Sequence, residues 1–507
     1  IVPINVPRRL GGEIHADRFA TPAAQGVDEE AGDKAIGARD QDAFGRMHRE
    51  FAFFRIIVHV IPRDRRSTMY YDTLSTMTLQ HTFDAIRRYG LRGIFDFIRS
   101  LSARAAARRK MEKTLITATD WQPQPGITVI GHFSDAYSLS KVLRDFVTRL
   151  KACGIPCQTL DIGCDDPIPA SEYAHLLTPA SDFRLNRYTD IVGMFVLPPL
   201  PKTNCRLSRI GFWEFESGLL AYYPEFSIPL EIIAMSDFAH DVFRRLVPES
   251  IPVQKILYPF LLNHRQETGR DAVRARYGIA PGDFVVFYNF SYRSSYYRKN
   301  PEAAVRAFAE AFGACDQAKI VFKTMGARSC PATAAKLRTC VENLEISERT
   351  VFIDDYVPQD ELIALTAACD VYLSLHRGEG FGLGIAEAMS LGKPVIVTDY
   401  SAPTEFCNRD NALLVPYTLV PVKACELDID AYARVKEWAE PNVHAAAAAL
   451  RRLHDDHAFA RELGERGRRF IDDHFSDANF RQSVLDFLVR GESSTMHRCP
   501  RRPSSPL

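Results

Sequence analysis

From residue 126 onward, short apolar runs alternate with stretches of helical period. GITVIG at 126–131 is the first such run, residues 138–153 follow with helical spacing and stop at Gly154, and PCQTLDI resumes an extended pattern. Strand, helix and strand in that order predict a βαβ unit. DIVGMFVL at 190–197, SRIGFW at 208–213 and EIIAMS at 231–236 read as further strands, so the segment predicts a first parallel sheet.

The stretch VPESIPVQKILYPF at 247–260 has three prolines and no helical period, and reads as an interdomain linker. A second alternation follows it. FVVFYN at 284–289, a helix from Pro301 capped by Asn300, KIVFKT at 319–324, VFIDDY, VYLSL, a helix after Gly382 and PVIVT at 394–398 predict a second doubly wound domain. Residues 443–487 read as one polar helix broken at Phe475-Ser476, and the chain after about Gly491 as a loose tail.

The amino-terminal stretch lacks such alternation. Residues 1–48 mix Gly, Ala, Asp and Arg with no sustained period, as in a disordered or truncated segment. Residues 82–113 place arginines between apolar residues as an amphipathic basic helix does, weakened by Gly90 and Gly93. Docking on an anionic membrane surface is one reading of that helix, and packing on its own protein the other. The expected organisation is an extension over 1–120, a first domain over 121–255, a second over 256–470, and a crossing helix with its tail over 471–507.

Composition alters this picture little. With 46% hydrophobic and 25% charged residues the chain resembles an average globular protein. The 63 Lys and Arg equal the 63 Asp and Glu, so no overall field draws the chain to nucleic acid. Eleven cysteines without a C-x-x-C pair read as reduced thiols in a cytoplasmic protein. The early apolar run at 51–61 is interrupted by Arg55 and falls short of the ~20 residues that span a bilayer.

The sharpest chemical feature is Glu379-Gly-Phe-Gly-Leu-Gly-Ile-Ala-Glu387, between two predicted strands. On one continuous helix, carboxylates eight residues apart would lie ~12 Å apart along the axis and roughly 80° around it. They must therefore serve different ends of a long ligand. One can accept hydrogen bonds from sugar hydroxyls and the other from ribose hydroxyls. Gly380 and Gly382 allow close backbone approach, and the free amides at the helix start offer donors to a diphosphate. Solvated surface glutamates on an ordinary β-turn-α connection are the plain alternative. Against it stands Ser294-Ser-Tyr-Tyr-Arg298-Lys299-Asn300, which follows the first strand of the same domain and puts cations at the same crevice. Arg298, Lys299 and Arg293 are candidates to stabilise a leaving diphosphate.

At these residues the chain resembles the retaining glycosyltransferases of family four. The run Ser374-Leu-His376-Arg377-Gly-Glu379, continuing through Glu387-Ala-Met, Gly392-Lys-Pro-Val-Ile-Val-Thr-Asp-Tyr400-Ser and Asn411-Ala-Leu-Leu-Val-Pro416, is similar to the bacterial polysaccharide-building branch. The resemblance covers roughly 121–488 and is strongest over 284–420. It implies the GT-B fold, an α/β architecture of two facing Rossmann-like domains. It also implies that Glu379 contacts the donor sugar, Glu387 the ribose and Lys299 the diphosphate, that amides near Phe381 to Leu383 complete the pocket, and that Asp370, Tyr400 and Ser401 support it. Many family members carry an arginine five residues before that lysine, where this chain has Ser294, so Arg293 and Arg298 both stay open as its helper. On the acceptor side the resemblance points to His132, in a loop with only Gly131 where the family is glycine-rich, and to Glu214 in Gly211-Phe-Trp213-Glu214.

The expected activity is sugar transfer from a nucleotide-diphosphate sugar to a saccharide or lipid-linked saccharide acceptor in polysaccharide biosynthesis, with retention of configuration. No cofactor or metal is expected. Asp165-Asp166 and the pair Asp428 and Asp430 read as solvated rather than ligating. The expected place is the cytoplasm, with peripheral contact at the inner face of the cell membrane. The alternatives are a nucleotide-sugar-binding scaffold without catalysis, or an epimerase or phosphorylase on the same architecture.

Overall fold

The computed structural model describes residues 123–495 except 136–137, 164–167, 195–196, 198–199, 201–202, 204, 223, 263–268, 313–316, 355, 424–425, 427–431 and 433. The basic amphipathic helix expected over 82–113, the amino-terminal stretch before it, the final residues 496–507 and all four aspartates of the acidic pairs lie outside the described residues.

The first sheet holds β1 (Gln124–Gly131), β2 (Cys157–Asp161), β3 (Tyr188–Met194), β4 (Arg206–Gly211), β5 (Glu231–Ala234) and β6 (Val253–Lys255). Its order is β2-β1-β3-β4-β5-β6, and every pairing is parallel. β1 is buried from Ile127 to Gly131, as expected of a parallel strand covered on both faces. Two helices of this domain bear on the site: α1 (Ser138–Ala152), after which Gly154 turns the chain with a φ of 68°, and α2 (Asp237–Leu246), whose first turn is capped by the Ser236 hydroxyl accepting from the Ala239 amide. The linker expected over 247–260 is corrected here. Val253 to Lys255 pair with β5 as the sixth strand, because its prolines flank the three residues that need ladder hydrogen bonds.

The second sheet holds β7 (Phe284–Ser291), β8 (Ala318–Met325), β9 (Thr350–Ile353), β10 (Val371–Ser374), β11 (Val395–Thr398) and β12 (Leu413–Val415). Its order β12-β11-β10-β7-β8-β9 reverses direction between β7 and β10. In an open parallel sheet, ligands bind at that reversal, outside the carboxyl ends of the strands. The helices that start beside it are α3 (Pro301–Phe312) and α4 (Leu383–Ser390). Asn300 enters α3 in the left-handed conformation, with a φ of 50°.

An antiparallel hairpin of β13 (Tyr417–Pro421) and β14 (Glu437–Pro441) precedes α5 (Val443–Asp455), α6 (His457–His474) and α7 (Asp477–Thr495). The single helix expected over 443–487 breaks at Phe475-Ser476 as read, and also at Asp456, whose carboxylate accepts from the Phe459 amide and starts a new helix. The tail expected after Gly491 is likewise corrected, since α7 continues to Thr495. α7 returns to the first domain. There the buried Arg149 donates to the carbonyls of Phe260 and Phe475 at 3.0 and 2.9 Å and to Asp477 at 2.7 Å, while Arg206 lies 3.9 Å above the Phe487 ring. One apolar core runs through both domains, joining Phe212 and Tyr258 to Phe381 and Phe475.

Candidate active site

β7 ends in a tight passage. Ser291 to Ser294 form a single turn, Ser295 takes a φ of 71°, and Tyr296–Lys299 close one helical turn that the Ser295 hydroxyl caps by accepting from the Arg298 amide. Left-handed φ values are costly for residues with a Cβ, and two occur here within six residues, at buried Ser295 and Asn300. The passage delivers Arg298 and Lys299 to the carboxyl end of β7. Across the reversal, β10 continues into residues 375–382. Gly382, with a φ of 92°, turns the chain into α4, and a Cβ there would stand 2.9 Å from Pro403 Cγ. The first amides of α4 therefore face the same crevice, where the helix end favours an anion.

The two loops are tied together by ions. Lys299 Nζ donates to Glu379 Oε1 at 2.5 Å, and Arg298 lies 3.2 Å from Oε2. Arg298 also donates to the carbonyls of Gly378 and Ser294, both at 2.8 Å, and stands 3.7 Å from Glu214. Its guanidinium thus braces one loop against the other, whereas Lys299 presents its ammonium from one side of Glu379. Burial pushes the Glu379 carboxyl up, but Lys299, Arg298 and His376 together outweigh it and hold it at about 2. Burial also draws Lys299 below the ordinary lysine value against the pull of Glu379. Arg298, which burial alone would lower, is held above its ordinary value by Tyr432, Glu379 and Glu214.

Supporting groups fix the loop. The Glu379 amide donates to Ser401 Oγ at 2.8 Å. His376 is fully buried, and burial lowers its imidazole to about 4, so it is neutral at neutral pH. Its Nε2 lies 3.2 Å from the Tyr400 carbonyl, which can only accept, so Nε2 carries the proton and Nδ1 accepts from Ser374, 3.1 Å away. Asp370 accepts from the Val285 amide and from Arg274, joining β7 to β10.

Glu387, one turn into α4, faces the other domain. Its Oε1 lies 3.4 Å from Gln359 Nε2 and 3.9 Å from Lys141 Nζ of α1, and Lys141 also donates to Asp145 at 2.6 Å. Burial raises the Glu387 carboxyl, Lys141 opposes the rise and Asp145 adds to it. Glu379, Glu387 and Lys299 line one cleft of about 510 Å³, a volume suited to a small organic ligand. Gly380, Phe381, Gly382 and Leu383 form part of its wall, with Arg293 and Arg298. Arg293 is exposed and donates to Ser329 Oγ at 3.0 and 3.1 Å.

On the opposite wall Glu214 is in place, whereas His132 is not. His132 is exposed and its Nδ1 bonds the Gly163 carbonyl, so from this segment Leu139, Lys141, Val142 and Arg144 reach the cleft instead. Sequence reading missed Lys141, Lys323, Gln359 and Tyr258, all of which line it. Tyr258 stacks on Phe381 with ring centres 3.5 Å apart, packing the first domain against the start of α4. The i, i+4 spacing of Lys141 and Asp145 was visible, but the identity of the facing surface was not. Seven cysteines among the described residues are free of disulfides, and no described helix is long and apolar enough to cross a membrane.

The segment that carries these residues is similar to known proteins. Residues 289–426 match the family model described as Glycosyl transferases group 1. The chain is similar to N-acetyl-alpha-D-glucosaminyl L-malate synthase of Bacillus anthracis, 32% identical over 126 residues, covering 25% of this chain and 30% of the relative. It is also similar to D-inositol 3-phosphate glycosyltransferase of Corynebacterium glutamicum, 30% identical over 175 residues, covering 31% and 40%. The chain thus aligns with well under half the length of either curated relative. Among solved structures, HepE of Anabaena in complex with UDP-glucose superposes with a TM-score of 0.51 at 15% identity, covering 72% of this chain and 100% of that one, which shows the two-domain GT-B fold. The matched segment contains Lys299, Glu379 and Glu387, so over residues 289–426 the chain is similar to the glycosyl transferases group 1 family.

Proposed function

We propose that the chain is a retaining glycosyltransferase that takes a sugar from a nucleotide-diphosphate sugar and passes it to a saccharide or lipid-linked saccharide acceptor in polysaccharide biosynthesis. The observation that carries this reading is the single cleft in which Glu379 is kept ionised beside Lys299 at one end while Glu387 stands at the other. A nucleotide sugar has hydroxyls at both ends and a doubly charged middle, which matches carboxylates at the ends and cationic and amide donors between them. The curated relatives carry the names of sugar-transferring enzymes, and the Anabaena structure was solved with UDP-glucose.

In the proposed reaction Glu379 accepts from sugar hydroxyls and fixes the donor's orientation. As the bond between the anomeric carbon and the diphosphate breaks, negative charge grows on the leaving oxygen. Lys299 and the amides at the start of α4 meet that charge in the cleft, where fixed donors act strongly once the donor displaces water. The acceptor hydroxyl attacks from the face the diphosphate leaves, so the configuration is retained. Glu214 is assigned to the acceptor side, and the scheme calls on no cofactor or metal. The place assigned to the reaction is the cytoplasm, at the inner face of the cell membrane.

The test is transfer from a panel of nucleoside diphosphate sugars, chosen first by the thermal shift each gives the wild type. Glu379→Ala and Lys299→Ala should each lower kcat/KM by about a hundredfold or more with the fold intact, the scale expected when a transition-state donor is removed. Wild-type turnover in both variants would discard the site.

A further inference from the structure

Glu387 is assigned above to the donor's ribose, and the following inference rests on that assignment. The carboxylate stands in a group whose members come from both domains: buried Asp145 and half-buried Lys141 from α1, half-buried Gln359 from the helix Gln359–Ala368, and buried Glu387 from α4. Two acids share one ammonium there. Lys141 Nζ is 2.6 Å from Asp145 and 3.9 Å from Glu387, so it is bonded to the first and only near the second. Tyr258 borders the same group, and burial together with both carboxylates holds its phenol protonated, so it adds no charge.

A buried carboxylate that has lost its cation takes up a proton and becomes a poorer acceptor. Asp145 would aggravate this, since it sits beside Lys141 and its own charge opposes that of Glu387. The 3.9 Å separation also leaves the Glu387 carboxylate, whose Oε1 accepts from Gln359, able to take a hydroxyl without breaking a tight ion pair.

We propose that Lys141 is a positioning residue for the donor's ribose. From the first domain it keeps Glu387 ionised, with Asp145 holding it in place, so that ribose hydroxyls can donate to that carboxylate. The nucleoside end of the donor is thereby read by both domains. A ligand with no ribose hydroxyls gains nothing from Lys141.

The test is isothermal titration of the full chain with uridine, guanosine and adenosine diphosphates, each beside its dideoxyribose form, and with inorganic pyrophosphate. Wild type should bind its preferred ribonucleotide about tenfold more tightly than the dideoxy form, the scale of a charged hydrogen bond. Lys141→Met should weaken the ribonucleotide by about tenfold, leave the dideoxy form and pyrophosphate within about twofold, and so erase the discrimination. Lys141→Arg should restore most of it. Pyrophosphate also reports whether the cleft of each variant is folded, and Lys141→Gln repeats the test if the methionine variant does not bind it. The inference is overturned if the lysine variants discriminate as the wild type does, or if Lys141→Met and Lys141→Gln both lose pyrophosphate and ribonucleotide equally. If the wild type binds ribose and dideoxyribose forms alike, the assignment of Glu387 to ribose falls with it.

Discussion

Against the burial that would raise it, Lys299, Arg298 and His376 hold the Glu379 carboxyl at about 2, below an ordinary 4.5. A depressed value contributes stability that is present above pH 4.5 and is lost as the pH falls toward 2, by up to ~3 kcal/mol. Urea unfolding of wild type and Glu379→Gln should therefore converge as the pH drops through that window, and parallel curves would contradict the ion pair. His376 is the complementary case, kept neutral down to about pH 4 by burial. Glu379, Glu387 and Lys299 were legible in the sequence because a glycine-rich turn and the end of a neighbouring strand carry them within short stretches. Lys141 was not legible, because its value lies in facing Glu387 from another domain, and no local spacing encodes that. His132 was read for the acceptor side from its loop alone, and its exposed side chain bonds the Gly163 carbonyl instead.

Elements rather than single side chains set the end of the cleft proposed to hold the diphosphate. α4 starts at Gly382 with a φ of 92°, and any Cβ there would press on Pro403. Gly382→Ala should cost ~1–3 kcal/mol in urea unfolding. It should also weaken nucleoside diphosphate binding, because the α4 amides would be re-aimed. Unchanged stability and affinity would show that the turn does not position these amides. The strands and their alternation with helices could be read in advance because parallel strands are buried on both faces and appear as continuous apolar runs. β6 escaped that reading, since three residues flanked by prolines carry too little pattern. The break at Asp456 escaped it because a capping aspartate inside a polar helix looks like any other charge.

At the scale of the molecule, the cleft exists because α7 and the Tyr258-Phe381 stack hold the two domains to one core. Arg149 is the buried clasp of α7, bonded to two carbonyls and to Asp477. Arg149→Met should destabilise the chain by about 3 kcal/mol, mostly through the carbonyls left unpaired, and a loss below about 1 kcal/mol would show the clasp to be ornamental. The order of each sheet, and so the reversal between β7 and β10, could not be read from the pattern, because alternation gives the strands but not their neighbours. That reversal is what brings Lys299 to Glu379 and leaves Glu387 facing α1. A crystal structure of the chain with a bound nucleoside diphosphate tests the account most directly. The account predicts the diphosphate between Lys299 and the first amides of α4, with the ribose hydroxyls on the Glu387 carboxylate. A nucleotide bound elsewhere, or one whose ribose lies away from Glu387, would contradict it.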